Sequence, residues 1–465
     1  MNMINVRRLT VMTFLGAGML SGISAQVSPL QVDTLKETKI PDQWDLQSCI
    51  DYAKEQNITI RKNRITAVST QIDVKTAKAA LFPSLSFSTG HQVVNRPYQE
   101  TSSRVSGNEI ISSNSKTSYN GNYGLNASWT LYNGNKRLKT IQQEKLNNQM
   151  AELDVATSEN NIQESIAQVY IQILYAAESV KVNENTLQVS IAQRDRGQEL
   201  LNAGSIAKSD LAQLEAQVST DRYQLVTAQA TLEDYKLQLK QLLELDGENE
   251  MNIYLPALSD ENVLAPLPTK RDVYISALSL RPEIEASKLN VEASELGINI
   301  AKSSYFPTIS LSAGIGTNHT SGSDFTFGEQ VKNGWNNSIG LSVSVPIFNN
   351  RQTKSAVQKA KLQYETSMLS LLDEQKALYK TIESLWLDAN SAQQRYAAAN
   401  EKLKSTQISY ELISEQFNLG MKNTVELLTE KNNLLQAQQE QLQAKYMAIL
   451  NTQLLKFYQG DQLAL

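Results

Sequence analysis

The sequence predicts a mainly α-helical fold with a transmembrane β part, built from a duplicated helix-strand-strand-helix-helix unit. Three observations carry that expectation. Gly (20) and Pro (10) together form about 6% of the 465 residues, half the usual ~12%, so the chain has few places to turn and must be built from long elements. Long stretches carry apolar residues at three-four spacing, the mark of helices with a packed face. Shorter stretches between them alternate apolar and small polar residues, the mark of strands whose two faces meet different surroundings.

Residues 1–25 read as a secretory signal: Arg7 and Arg8, an apolar run from Leu9 to Leu20, then Ser24 and Ala25 before Gln26. The run is shorter than the ~18 residues a membrane helix needs. A mature chain opening on Gln26 rather than Cys is not expected to be lipidated at its N-terminus. No later stretch is apolar enough for a membrane helix, so any part of the mature chain that spans a bilayer is expected to do so as strands.

The chain repeats itself. Phe82-Pro83-Ser84-Leu85-Ser86 recurs as Phe306-Pro307-Thr308-Ile309-Ser310. Gly124-Leu125, followed by Leu131-Tyr132-Asn133-Gly134, recurs as Gly340-Leu341 and Ile347-Phe348-Asn349-Asn350, and Gly204 with Asp210-Leu211 recurs as Gly420 with Glu426-Leu427. Landmarks in the same order, twice over, mark two copies of one unit, 44–246 and 271–459. A link at 247–270, with Pro256, Pro266 and Pro268, separates them.

In the first unit a helix over 46–80 leads to two strands, a long helix over 134–203, a break at Gly204 and a helix over 206–246. The second unit repeats this as 271–304, two strands, 350–418, Gly420 and 422–459. Leu211, Leu214, Val218, Leu225, Ala228, Leu232, Tyr235, Leu239 and Leu242 mark one seam. At 1.5 Å per residue the long helices reach roughly 105 Å and the shorter return helices about 60 Å. The gap is expected to be filled end to end by the 46–80 helix or by its counterpart over 271–304.

Barrel-type strands are expected at about 84–94, 119–132, 308–318 and 336–348. In the first, Leu85, Phe87, Thr89, His91 and Val93 alternate with Ser84, Ser86, Ser88, Gly90 and Gln92. One apolar face, one small polar face and flanking Trp or Tyr match transmembrane barrel strands, with polar loops over 96–118 and 320–334. Four strands cannot close a barrel, and open edges in hydrocarbon leave backbone groups unpaired at several kcal/mol each. The chain is therefore expected to oligomerise. Three copies give twelve strands and twelve helical columns, but the sequence does not choose three over two or four.

Catalytic chemistry has no carrier in these residues. There is no phosphate-binding Gly-rich motif, nucleophile elbow or metal-ligand spacing, so neither an enzyme nor a cofactor is expected. The single Cys49 excludes an intrachain disulfide, and a net charge of −5 argues against nucleic acid as a partner. His91 and His319 are expected to be surface or interface histidines rather than metal ligands. The competing class is structural: a secreted coiled-coil fibre or adhesin-like protein.

The paired Phe-Pro entries to the strands, Asn57 and Arg281-Pro282-Glu283 at helix starts, and the Gly204 and Gly420 turns followed by an acid and Leu resemble the TolC-type outer-membrane efflux proteins over nearly the whole mature chain. The resemblance implies a homotrimer with a 12-stranded β-barrel in outer-membrane lipid, continued by a long periplasmic α-helical barrel. It implies an exit duct for a tripartite efflux or type I secretion system, with a periplasmic adaptor and an inner-membrane transporter as partners. The hairpin tips then form a periplasmic constriction whose matching positions are Gly204, Ser209, Asp210, Phe417, Gly420, Lys422 and Glu426. Lys422 is expected to pair with Asp210, Phe417 to lack a hydroxyl common in the family, and a ring of Glu426 carboxylates to favour cations. Thr429 stands where the family has a second acid, with Glu430 adjacent.

Overall fold

The computed structural model describes residues 41–464 except 99–101, 107–108, 114–115, 247–250, 257–262, 322 and 324. The signal expected at 1–25 lies outside the described residues, as do parts of the 247–270 link. The described chain runs through α1 (Leu46–Gln56), α2 (Ile58–Ala79), β1 (Ser84–Asn95), β2 (Ser102–Ser106), β3 (Glu109–Ser113), β4 (Thr117–Asn133), α3 (Lys136–Asn202) and α4 (Lys208–Leu242). It continues through α5 (Lys270–Leu280), α6 (Pro282–Ser303), β5 (Thr308–Thr320), α7 (Phe327–Asn333), β6 (Asn336–Ser344), α8 (Gln352–Asn418) and α9 (Thr424–Gln459).

Each helix expected to precede the strands is two helices. Asn57 divides α1 from α2, and its side chain accepts hydrogen bonds from the Thr59 and Ile60 N–H groups at 2.9 and 3.4 Å. The same side chain donates to the Leu242 carbonyl at 3.0 Å. One amide thus caps the start of α2 and the end of α4, the orphan groups that two helix ends present. Arg281, followed by Pro at the first helical position, makes the corresponding break between α5 and α6. The guanidinium stacks 3.6 Å from the centre of the Tyr458 ring and bonds Glu164 at 2.6 Å.

The end-to-end filling is realised with the shorter pieces: α4 abuts α2 at Asn57, and α9 abuts α6 at Arg281. Each 67-residue helix, α3 or α8, spans about 100 Å. The 11-residue helices α1 and α5 lie at these joins and bury Cys49, Ile50, Val273 and Ala277 against the long helices. The link crosses the same level, where Trp44 pairs with Ile253 in a parallel bridge and Tyr170 Oη donates to the Tyr254 carbonyl at 2.6 Å. Trp386 Nε1 donates to the Pro268 carbonyl at 3.0 Å. The apolar core is concentrated here because the chain is thickest here, with Trp44, Ile166, Ile173, Leu239, Leu243 and Ile284 fully enclosed.

Four strands form an antiparallel sheet in the order β1-β4-β5-β6. Register places Ser86, Asn126, Gly314 and Ser338 in one row, and Leu85, Ala127, Ala313 and Ile339 in the next, on the opposite face. The polar rows consist of small residues, whereas Phe87, Leu341 and Ile339 project uncovered from the other face, at 67%, 64% and 82% exposure. A bulge between Thr130 and Tyr132 leaves Leu131 out of register and sets Tyr132 opposite Ile309, so the regular alternation expected through Leu131 shifts phase there.

Two further differences lie in the loops. The 96–118 segment contains the β2-β3 hairpin, and the 320–334 segment contains α7. The α7 start is legible in retrospect, since Thr326 and Glu329 cap each other's backbone in a Thr-x-x-Glu box. The last strand ends at Ser344 rather than 348, before Pro346.

Candidate functional site

Gly204 and Gly420 are where each long helix reverses. With φ of +73° and +74°, both occupy the left-handed region that residues with a Cβ disfavour. The Ser205 N–H reaches back to the Leu200 carbonyl and the Met421 N–H to the Gln416 carbonyl, each at 2.8 Å. These bonds satisfy the last helical carbonyls by the same motif in both hairpins.

Beyond each turn the returning helix is capped by its own acid. Asp210 Oδ2 accepts from the Ala207 N–H at 3.0 Å, and the Ala207 methyl has no acceptor to reciprocate. Glu426 makes the fuller version: its N–H donates to Asn423 Oδ1 at 2.9 Å while its carboxylate accepts the Asn423 N–H at 3.3 Å. Lys422 Nζ lies 2.8 Å from Glu426 Oε1. The expected Lys422–Asp210 pair is therefore not made within the chain, because both acids are engaged as caps and Lys422, just before the Asn423 N-cap, stands four residues from Glu426. The Lys422 hydrogen bond, then the Asn423 N–H, hold the Glu426 carboxyl below the ordinary Glu range. Ser209 is exposed, whereas Phe417 is buried at 2% exposure under the second turn. Thr429 Oγ1 donates to the Val425 carbonyl at 2.7 Å, and Glu430 accepts from Ser409 at 3.1 Å.

The contacts that join the two hairpins lie farther from the turns and were not singled out in the sequence. Lys431 of α9, Asp221 of α4 and Ser190 of α3 meet in a closed cluster, exposed by only 3%, 1% and 2%. Lys431 Nζ bonds both the Asp221 carboxylate and Ser190 Oγ, and Ser190 Oγ also bonds Asp221. Gln217 Nε2 supplies a further bond to Asp221 at 2.9 Å. Burial draws the Lys431 pKa down, partly offset by Asp221. Two flanking bonds also cross between the hairpins: Gln193 to Tyr410 at 2.8 Å and Gln217 to Asn432 at 3.4 Å.

A signal for this cluster was present. Asp221 falls between Val218 and Leu225, and Lys431 between Leu427 and Leu434, each a charge at an apolar seam position. Such a charge must be paired when the seam closes.

Among the described residues no group of three or more His, Cys, Asp or Glu is placed to hold a metal ion, and no helix is long and apolar enough to cross a membrane. The chemistry available at the tips is electrostatic and mechanical. The profile of the outer membrane efflux protein family matches residues 49–244 and 273–460. The chain belongs to the outer membrane efflux protein family.

Within that family it is 24% identical over 294 residues to the outer membrane efflux protein BepC of Brucella suis, covering 63% of this chain and 61% of that protein. It is also 24% identical over 294 residues to the outer membrane protein TolC of Escherichia coli, covering 61% and 58%. The matched part spans about three fifths of the length of these two relatives. A crystal structure of CusC superposes with a TM-score of 0.75 at 19% identity, covering 90% of this chain and 92% of that one. At that identity the likeness is one of fold.

Proposed function

We propose that this protein is the outer-membrane exit duct of a tripartite efflux or type I secretion system, with its strands in the outer membrane and its helices in the periplasm. The observation that carries the reading is the sheet β1-β4-β5-β6. Among the described residues its outer strands β1 and β6 each lack a neighbour on one side, and an apolar face stands uncovered. Backbone groups on such edges are too costly to leave unpaired in hydrocarbon. Three copies joined edge to edge close a 12-stranded barrel whose small polar rows line the lumen and whose Leu, Ile and Phe rows meet lipid. The paired 100 Å helices then continue the barrel as a periplasmic conduit to an adaptor and an inner-membrane transporter, which supplies the energy.

In this duct the Gly204 and Gly420 turns form the inner end, with Glu426 around the opening. Substrate passes by diffusion, and the residues at the tip select by charge rather than by fit. The Lys431–Asp221–Ser190 cluster ties the returning helix of the second hairpin to the first and holds the tip in its narrow state. A secreted coiled-coil fibre, the competing expectation, gains no support from the family or from the fold.

Single cysteines on β1 and β6 of the full chain test the assembly with a flexible bis-maleimide in detergent. Cys49 stays silent because it is enclosed and burial pushes its thiol up to about 12. Variants carrying one cysteine on each edge are expected to give a covalent ladder that stops at three chains. A ladder that stops at two or four, or runs on without limit, contradicts the trimer.

A further inference from the structure

The chain has two histidines, 228 positions apart in sequence, and the sheet brings them together. His91 of β1 and His319 of β5 both stand opposite Gly121 of the intervening β4, in one cross-strand row on one face. Gly121 has no side chain, and the His319 ring takes up the volume a Cβ would fill, with the His91 ring beside it. A Cβ built there lies 2.6 Å from His319 Nδ1 and 3.1 Å from His91 Nδ1, and collides with His319 Cε1. Tyr119 Oη lies 2.7 Å from the same His91 nitrogen. His319 is nine-tenths buried under Tyr119, Tyr123 and Phe327, with ring centroids at 5.3, 6.0 and 5.0 Å.

Within this enclosure His319 Nδ1 has no hydrogen-bond partner among the described residues. A buried polar atom left unpaired is costly, and this one converges with a second imidazole nitrogen, itself beside a phenol oxygen, over the same glycine. The donor set selects its class. Imidazole nitrogen favours first-row divalent ions such as Cu²⁺, Ni²⁺ and Zn²⁺ over Mg²⁺ or Ca²⁺, at bond lengths of about 2.0–2.1 Å for Zn²⁺.

We propose that His91 Nδ1 and His319 Nδ1, which converge over Gly121, hold one divalent transition-metal ion between them with the Tyr119 oxygen beside it. His91 Nε2 is anchored by Thr89 Oγ1 at 3.2 Å, leaving Nδ1 as the ligating atom. Binding exchanges the Tyr119–His91 hydrogen bond for a metal–nitrogen bond and satisfies the orphaned His319 nitrogen. The helix α7, which contributes Phe327, covers the site and is itself held to β5 by Thr317 Oγ1 donating to the Val331 carbonyl at 2.7 Å. An ion here ties β1, β4 and β5 together at the end of the sheet beneath α7, independently of what the duct carries.

The test uses the full chain without an affinity tag, titrated in detergent with CuCl₂ and, in competition, ZnCl₂. Because these are the chain's two histidines, any nitrogen coupling from two imidazoles in the Cu²⁺ electron spin resonance spectrum must come from this pair. The wild type is expected to bind one Cu²⁺ per chain with that signature. His91→Gln and His319→Gln are each expected to weaken binding by more than about tenfold, the scale of loss that outer-shell changes alone produce. Gly121→Ala, which keeps both imidazoles but whose methyl displaces the His319 ring, is expected to do the same. Circular dichroism and oligomer mobility check that each variant still folds. Affinity no higher than that of a His91→Gln/His319→Gln double variant, or full affinity in Gly121→Ala, overturns the proposal and leaves a water as the partner of His319.

Discussion

Asn57 shows how much one side chain carries where two helices meet end to end. It accepts from two N–H groups of α2 and donates to the last turn of α4, at 4% exposure. Asn57→Ala removes an N-cap and a cross-helix bond together, so a loss of about 1–2 kcal/mol is expected, read as a lower midpoint in denaturant. Asn57→Asp retains the acceptor and is expected to lose less. At the tip, Glu426 is held ionised by Lys422 and the Asn423 N–H. Its folded pKa lies below the ordinary 4.5; the stabilisation is complete above that value and disappears as pH falls through the folded pKa. The Glu426 side chain is 42% exposed, so the effect on stability is small and screened by salt. A carboxyl titration by magnetic resonance is expected to give a midpoint under 4.5 that moves up in Lys422→Ala. The sequence singled out both residues, but it set Lys422 against Asp210 of the other hairpin, whereas within the chain the lysine pairs with Glu426. Nothing in the spacing distinguishes a lysine facing the other hairpin from one facing its own helix, since i,i+4 placement permits both.

At the scale of elements, the two hairpins are joined by a charge pair inside an otherwise apolar seam. Removing one partner of such a pair leaves the other buried and uncompensated, so Asp221→Ala is expected to cost about 3–5 kcal/mol. The double change Asp221→Leu/Lys431→Met, apolar on both sides, is expected to recover most of that stability. Thermal denaturation of the three proteins checks this, and a double variant no better than the single one contradicts the pairing. The long helices, the turns and the alternating strands were legible because each has a local cause: three-four spacing, a glycine that tolerates positive φ, and period-two alternation. The splits at Asn57 and Arg281 were less so, because apolar spacing runs through them and only the meeting with α4 and α9 makes a break favourable. The His91–Gly121–His319 row was invisible, as it depends on a strand register between segments 200 residues apart.

The whole molecule has its core at the helix joins, and the sheet has almost none of its own. Among the described residues nothing covers its apolar face or pairs its outer strand edges, and α8 exposes Leu362 and Leu369 while α4 exposes Val226 and Leu237. In the proposed closed trimer, neighbouring copies would supply partners for edges, faces and seams in one arrangement. The scarcity of Gly and Pro fits that design: Gly204 and Gly420 stand at the tips, Pro83 and Pro307 at the helix-to-strand entries, Pro256, Pro266 and Pro268 in the link, and several of the remaining glycines, such as Gly121, Gly124, Gly314 and Gly340, within the strands. The most direct measurement is single-channel current after insertion of the purified oligomer into planar lipid bilayers. Discrete conductance steps that favour cations, with the preference reduced in Glu426→Ala, are the expected result. A protein that stays in solution without detergent and passes no current contradicts the account.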